Sequence, residues 1–152
     1  LILEDEGRLI GRCALPLPLQ EARHHANWIQ LEVPLKDRVQ HSYDNYILSN
    51  LEEMVTLSAD WDTAFNEFER GLLDALTRIQ KRLGDTRYSA LHADLTAALS
   101  SHRLGDPEPH KKWIEVLLMQ YYDPMYNYQM AKRAQAPLLQ GNEAEVIGYL
   151  TD

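Results

Sequence analysis

The chain has 152 residues, of which 45% are hydrophobic and 25% are charged, and its formal net charge is −8. These values are typical of one globular domain with a sizeable core, and they exclude nucleic-acid binding by bulk charge alone. The sequence contains no long apolar run and no secretory leader pattern, so we expect no membrane contact. Cys13 is the single cysteine, which excludes an internal disulfide and predicts a plain buried thiol in a reducing cytoplasm.

The first third of the chain predicts pieces of a parallel sheet. The apolar run 1–3 is expected to be a buried strand that ends at the acidic residues 4–6. Two prolines introduce a short helix through Ala26, and residues 28–33 predict a second strand. A strand, a helix and a strand form a βαβ unit, which favours parallel pairing. Because the chain opens within a predicted core strand, we expect it to be a piece of a longer protein.

From Leu35 the apolar period changes to threes and fours, which is typical of helices. Asp60 is predicted to cap a helix that runs to Leu83, with Gly84 just past its end. Further helices are predicted from Thr86, after Asp106 and after Asp123. The apolar faces of the first two helices comprise Val39, Tyr43, Tyr46, Ile47, Leu51 and Met54, then Trp61, Phe65, Phe68, Leu72, Leu76, Ile79 and Leu83.

A third apolar run, at residues 136–139, precedes a last helix from Glu143 to Leu150. We expect this run to return to the sheet beside residues 29–31, because each strand is too small to stand alone. The predicted fold class is therefore α/β and predominantly helical, with a parallel sheet and a large helical insert. Residues 1–34 and 136–152 are assigned to the α/β domain, and residues 35–135 to a helical subdomain.

The segment 121–129, YYDPMYNYQ, holds four of the eight tyrosines and is followed by Lys132 and Arg133. Asp123 before Pro124 predicts a helix cap with proline at the first helical position. Two interpretations remain open. The rings could form an aromatic core helix with each hydroxyl partnered, or they could form a surface that grips bases and phosphates by stacking and cationic contacts.

Other chemistry is sparse. The glycines form no phosphate-binding loop, and the histidines lack ligand spacing with cysteine or aspartate, so we predict no metal site and no catalytic residue. The acids at 4–6 could hold Mg²⁺ or a water beside a phosphate, or they could form a solvated turn. Basic clusters that are either local binding patches or solvated helix faces are Arg78, Lys81, Arg82 and Arg87; His110, Lys111 and Lys112; and Lys132 and Arg133.

Several segments, in order along nearly the whole chain, resemble bacterial tRNA 2-selenouridine synthases. Residues 4–11 (EDEGRLIG) are similar to that family's EDES-R-IG segment, and residues 31–39 (LEVPLKDRV) to its LEVPLEERV segment. Residues 81–88 (KRLGDTRY) are similar to KRLGG-RY, and residues 141–146 to its closing segment. Residues 121–129 are similar to YYDPMYDYQ, the most specific signature. Gly7 replaces the family's serine and Asn127 its usual aspartate, which removes a hydroxyl and a charge.

The resemblance implies an enzyme with a rhodanese-like domain that carries a catalytic cysteine, followed by a P-loop domain. Such an enzyme replaces the sulfur of wobble 2-thiouridine in tRNA with selenium through a geranylated intermediate, using geranyl diphosphate and selenophosphate as co-substrates. This chain would be the C-terminal part, with a partial P-loop NTPase-like sheet. The catalytic cysteine and the Walker A lysine would precede Leu1, and Cys13 does not match that cysteine. The chain alone is therefore expected to be inactive and to hold no co-substrate.

Within that resemblance, Glu4, Asp5 and Arg38 are our candidates for the phosphate or diphosphate side. The candidates for a tRNA or prenyl pocket are Tyr121, Tyr122, Tyr126, Tyr128, Lys132 and Arg133. The expected partners are tRNA and the preceding rhodanese and P-loop segments. Two other hypotheses remain open: the helical lid and sheet of a small-molecule P-loop kinase, and a non-catalytic helical module that binds tRNA or a protein.

Overall fold

The computed structural model describes residues 2–4, 9–10, 13–133 and 135–151. The chain divides into two compact units. The sheet unit comprises Leu1–Glu32 and Ala134–Asp152, and the helical unit comprises Val33–Arg133. The fold is predominantly helical α/β, as predicted, and no helix in the described ranges is long and apolar enough to cross a membrane.

In the described part of the sheet unit there are two short strand pairs and two helices. Strands β1 (Leu9–Ile10) and β2 (Cys13–Ala14) are antiparallel, whereas β3 (Ile29–Leu31) and β4 (Leu139–Gly141) are parallel. The helices are α1 (Leu17–His25) and α9 (Glu143–Thr151). Ile29 lies opposite Leu139, and two flanking backbone bonds, Leu138 N to Trp28 O and Glu32 N to Gly141 O, are both 2.8 Å.

The parallel pairing of residues 29–31 with the returning run is confirmed, but the strand predicted at 1–3 is wrong. Ile2 and Leu3 are irregular and 71% and 62% exposed, while Leu1 lies outside the described residues. Within the described ranges β3 pairs with β4 and β1 with β2, so residues 2 and 3 pair with no strand. Without a neighbouring strand, their side chains are not packed against a sheet. The parallel strands are therefore joined through the whole helical unit, and the predicted βαβ unit is not formed.

Cys13 was expected to be buried, and this prediction is also wrong because the thiol is exposed. It lies in β2, which pairs with β1 in a hairpin of two residues per strand. A hairpin this short provides no apolar face, so the thiol stays in contact with solvent.

The helical unit is built from seven α-helices and two π-helical segments. They are α2 (Leu35–Tyr43), a first π segment (Asp44–Ser49), α3 (Asn50–Ser58), α4 (Trp61–Arg78), α5 (Gln80–Leu83), α6 (Asp85–Arg103), α7 (His110–Leu117), a second π segment (Leu118–Tyr122) and α8 (Asp123–Ala131).

Local signals set several of these helix ends. Ala59 takes a left-handed conformation with φ of 54°, and the Asp60 carboxylate accepts a 2.9 Å hydrogen bond from Thr63 N, as the cap prediction requires. Gly84, with φ of 79°, follows α5. The helix predicted from Trp61 to Leu83 is interrupted at Ile79, where ψ is 0°.

The core of the helical unit joins α2, α3, α4, α6 and α7. Phe65 and Phe68 on α4 are 0% and 2% exposed, and Leu91, Leu95 and Leu99 on α6 are buried in the same cluster. The predicted apolar face of the first helix is mostly buried, but Tyr46 is 65% exposed. The π segment that carries Tyr46 shifts the side-chain positions away from the 3.6-residue period used for the prediction.

Candidate functional site

The tyrosine segment does not start a new helix. The backbone continues from α7 through the second π segment into α8, and Tyr122 has helical angles of −72° and −48°. The predicted Asp123 cap is therefore wrong, and no side-chain cap is formed there. Proline inside a regular α-helix clashes with a carbonyl of the preceding turn. The widened π turn directly before Asp123 and Pro124 lets the chain pass without a break.

Asp123 instead forms a two-pronged ion pair with Arg38 on α2. Arg38 Nη1 donates to Asp123 Oδ1 at 2.5 Å, and Nη2 donates to Oδ2 at 3.0 Å. This hydrogen bonding raises the pKa of Arg38. The third guanidinium nitrogen, Nε, is buried without a hydrogen-bond partner among the described residues. A carboxylate therefore already occupies the fork of Arg38 that was assigned to phosphate.

The rings of the segment form a small cluster. The centroids of Tyr121 and Tyr122 are 5.0 Å apart at 79°, and those of Tyr122 and Tyr126 are 6.4 Å apart at 23°. Burial raises the pKa of Tyr122, and the neighbouring Tyr121, Tyr126 and Tyr46 raise it further. We define the tyrosine cluster as the rings of Tyr121, Tyr122 and Tyr126 together with Tyr46 of the first π segment, which lies within electrostatic reach of Tyr122.

The tyrosine cluster is not a second core. No side chain of α8 is buried, and Tyr126 is 52% exposed. Tyr121 is half-buried at the edge of the helical core, and Tyr122 is half-buried beside it. Half-buried rings next to exposed ones provide apolar faces that remain reachable from solvent.

Tyr128 lies two residues after Tyr126 on α8, so the two rings are on different faces of the helix. Tyr128 is 63% exposed, and Lys132 Nζ lies 4.2 Å from its ring centroid, which is a cation–π contact. Arg133 follows in the turn after α8, where its backbone N–H donates to Met130 O at 3.0 Å. These residues place a cationic end beside an exposed ring.

One contact of the tyrosine cluster was missed from the sequence. Arg82 Nη1, at the end of α5, donates to the Tyr121 hydroxyl at 3.3 Å. The two residues are 39 positions apart, so no helical period links them. In the sequence, Arg82 and Tyr121 are linked only in that both lie in segments that resemble the same family, residues 81–88 and 121–129.

The acidic candidates, Glu4 and Asp5, belong to the sheet unit. Glu4 is exposed and irregular, and Asp5 lies outside the described residues. Over the ranges that the structure describes, no group of three or more histidine, cysteine or carboxylate side chains is arranged to hold a metal ion.

Two histidines are buried in the helical core. Trp113 Nε1 donates to His110 Nδ1 at 2.9 Å, so the proton of neutral His110 lies on Nε2. Nε2 is 3.3 Å from His102 Nδ1, to which it donates. Burial and the neighbouring His102 lower the pKa of His110 to about 4. The pair is therefore neutral and structural at neutral pH, with a fixed tautomer at His110.

Comparisons with known proteins decide the family. The family model described as the tRNA 2-selenouridine synthase AAA domain matches residues 1–152. The chain belongs to this family. It is 46% identical over 149 residues to the tRNA 2-selenouridine synthase of Hahella chejuensis, covering 98% of this chain and 39% of that protein. It is 40% identical over 150 residues to that of Pseudomonas fluorescens, covering 98% of this chain and 41% of the relative.

The chain thus spans about 40% of the length of the relatives of this family that it matches. No solved structure matches it. The resemblance inferred from segments such as 121–129 is confirmed, whereas the roles assigned to single residues within those segments stay predictions.

Proposed function

We propose that the chain is the C-terminal part of a cytoplasmic enzyme that replaces the sulfur of wobble 2-thiouridine in tRNA with selenium. The family match over residues 1–152 carries this proposal. The reaction would proceed through a geranylated thiouridine, with geranyl diphosphate and selenophosphate as co-substrates. The nucleophilic cysteine and the phosphate-binding loop would come from segments outside this chain, since Cys13 has no base partner among the described residues and the sequence has no phosphate loop.

In this proposal the tyrosine cluster handles the uridine or its geranyl group. The ring faces of Tyr122 and Tyr126 offer an apolar surface on which a base or a prenyl chain can stack. Their hydroxyls can meet the polar edge of the base. Because Tyr122 is half-buried and Tyr126 is half in solvent, the first ring would form the floor and the second the rim.

The charged residues around the cluster would orient it and meet phosphates. Asp123 holds Arg38 through two hydrogen bonds, so this pair fixes α8 against α2 and keeps the tyrosines in place. Lys132 and Arg133 would contact phosphate groups of the tRNA. Arg38 would reach a diphosphate only if its bond to Asp123 were shared or exchanged.

A second candidate function is a non-catalytic helical module that binds tRNA or a protein. It is favoured by one observation, that residues 33–133 form a compact unit with its own apolar core. This hypothesis expects RNA binding that needs neither geranyl diphosphate nor selenophosphate.

One assay tests the proposal. The natural gene product that carries this chain is incubated with thiolated tRNA, geranyl diphosphate and selenophosphate, and the digested nucleosides are examined by mass spectrometry. We expect geranylated and then selenated uridine from the gene product, and unmodified thiouridine from the 152-residue chain alone. Unchanged thiouridine from the gene product would contradict the proposed reaction, and turnover by the chain alone would contradict the assignment of the chemistry to other segments.

A further inference from the structure

The segment from Arg78 to Arg87 is a concentrated basic surface in an acidic chain. Its four cations are exposed and lie within ten residues. Asp85 is its only acidic residue, and the Asp85 carboxylate accepts a 3.4 Å hydrogen bond from the amide of Gln80. The cations of this basic surface are Arg78, Lys81, Arg82 and Arg87.

These cations differ from Lys111, Lys112 and Arg103 in the helical unit, each of which has a carboxylate partner. Lys111 pairs with Glu108 at 2.8 Å, Lys112 with Asp94 at 2.7 Å, and Arg103 with Glu69 at 3.3 Å. Among the described residues, no cation of the basic surface lies within 4 Å of a carboxylate oxygen. Their charge is therefore available to a partner outside the unit.

Helix stability does not account for the whole basic surface. Lys81 and Arg82 lie in the last turn of α5, where the helix dipole favours cations. Arg87 lies in the first turn of α6, where the same dipole disfavours a cation. The helix dipole therefore does not explain why a cation lies at this position of α6.

The basic surface is continuous with the tyrosine cluster. Arg82 donates to the hydroxyl of Tyr121, whose ring meets Tyr122, whose ring in turn lies over Tyr126. This chain of contacts therefore begins at a cation, Arg82, and ends at an exposed ring, Tyr126. Unpaired nucleotides present the matching features, a phosphate backbone for cations and base faces for rings.

We propose that the basic surface binds the phosphate backbone of an RNA whose unpaired bases reach the tyrosine cluster. The proposal rests on the proposed function, since it extends the RNA site from α8 to α5 and the start of α6. Arg82 would bridge the two parts, with Tyr121 setting the direction of its guanidinium.

The test compares two double substitutions that each remove two cations. Lys81→Gln/Arg87→Gln removes cations without carboxylate partners, and Lys111→Gln/Lys112→Gln removes cations that have them. Both leave the Arg82–Tyr121 contact intact. Each is made in the natural gene product, checked by melting temperature and circular dichroism, and titrated with a short RNA hairpin that has an unpaired loop, at several salt concentrations.

We expect Lys81→Gln/Arg87→Gln to weaken binding about tenfold or more at low salt. It should also lower the slope of log affinity against log salt by about 1.4, or about 0.7 for each lost phosphate contact. The control, Lys111→Gln/Lys112→Gln, should change both the affinity and the salt slope much less. Equal losses in the two variants, or an unchanged slope in the first, would overturn the proposal.

The same preparations separate this inference from the proposed function. A wild-type protein that modifies tRNA while Lys81→Gln/Arg87→Gln keeps full affinity and slope would leave the function standing and remove the basic surface from it. If the slope falls in Lys81→Gln/Arg87→Gln as expected but the wild-type protein leaves thiouridine unmodified, the proposed function is contradicted and the RNA-binding role of the basic surface is retained. A wild-type protein that does not bind the hairpin would overturn the surface directly.

Discussion

The helical unit contains two aromatic clusters of opposite character. Phe65 and Phe68 on α4 are almost fully buried, and the edges of His102 and His110 pack against them. In the tyrosine cluster, Tyr46 and Tyr126 are more than half exposed although they also lie on helices. The two clusters have similar helical spacing and different surroundings.

The difference shows that an aromatic stripe does not by itself determine burial. The phenylalanines carry no polar atom, and the buried histidines beside them are satisfied within the core by a hydrogen-bond chain that starts at Trp113. A tyrosine hydroxyl at the surface forms hydrogen bonds with water or with an exposed cation, as Tyr121 does with Arg82. In these two clusters the polar ring edges are the more exposed ones, although Tyr43 of the core, at 3% exposure, shows that a tyrosine can also be buried.

The largest effect should come from removing a ring of the buried cluster. Phe65→Ala should lower the free energy of unfolding by about 3–5 kcal/mol, because it leaves a cavity among packed rings. Phe65 stacks on Trp61 at 4.8 Å and meets the edge of His102 at 5.4 Å. Urea unfolding monitored by circular dichroism measures the change. Tyr128→Ala is the matched control, with an expected loss of less than about 1 kcal/mol.

The next effect is a dependence of stability on pH. Burial lowers the pKa of His110 from an ordinary 6.5 to about 4, and burial also lowers that of His102. Between pH 6.5 and 4 the unfolded state binds more protons than the folded state, so stability falls as the pH falls. The contribution is fully present above pH 6.5, and its loss at pH 4 should be on the order of 2–3 kcal/mol.

A substitution that cannot titrate isolates this contribution. His110→Gln keeps an acceptor for Trp113 and a donor for His102, so it should fold with a weaker dependence of unfolding free energy on pH between 6.5 and 4. If wild type and His110→Gln show the same pH profile, the neutral buried pair is not the source of the acid sensitivity.

Local signals predicted the core better than the tyrosine surface. Apolar spacing located Phe65, Phe68 and Leu76 of α4, although Trp61 on the same predicted face is 40% exposed. The cap at Asp60 gave the start of α4, and Gly84 gave the end of α5. The pairing of Arg38 with Asp123 spans 85 positions and depends on how helices pack, which no local pattern encodes. The two π segments were missed because no residue type marks a π turn, and an apolar pattern is interpreted with the 3.6-residue period of a regular helix.

A smaller effect concerns the ion pair that fixes α8. A double-mutant cycle with Arg38→Gln and Asp123→Asn should give a coupling of about 1 kcal/mol, because the pair is bidentate and only about a third exposed. The single contact between Lys112 and Asp94, with Lys112 71% exposed, should give about 0.3 kcal/mol. If thermal unfolding gives the same coupling energy for both ion pairs, the two-pronged geometry adds no stability to the packing of α8.

The smallest effect on stability should come from the exposed rim of the tyrosine cluster, and there the comparison of the two clusters can fail. Tyr126→Phe removes only a hydroxyl and Tyr126→Ala removes the ring, yet each should change the free energy of unfolding by less than about 0.5 kcal/mol because half of the ring is already in water. RNA affinity should respond differently: Tyr126→Phe keeps the stacking face, whereas Tyr126→Ala should lose about 1–3 kcal/mol of binding. Both variants are made in the natural gene product, and melting temperature and hairpin affinity are measured on the same preparations. If Tyr126→Ala lowers the melting temperature sharply while the folded protein binds RNA as wild type does, the ring belongs to the core, and the distinction between the clusters is lost.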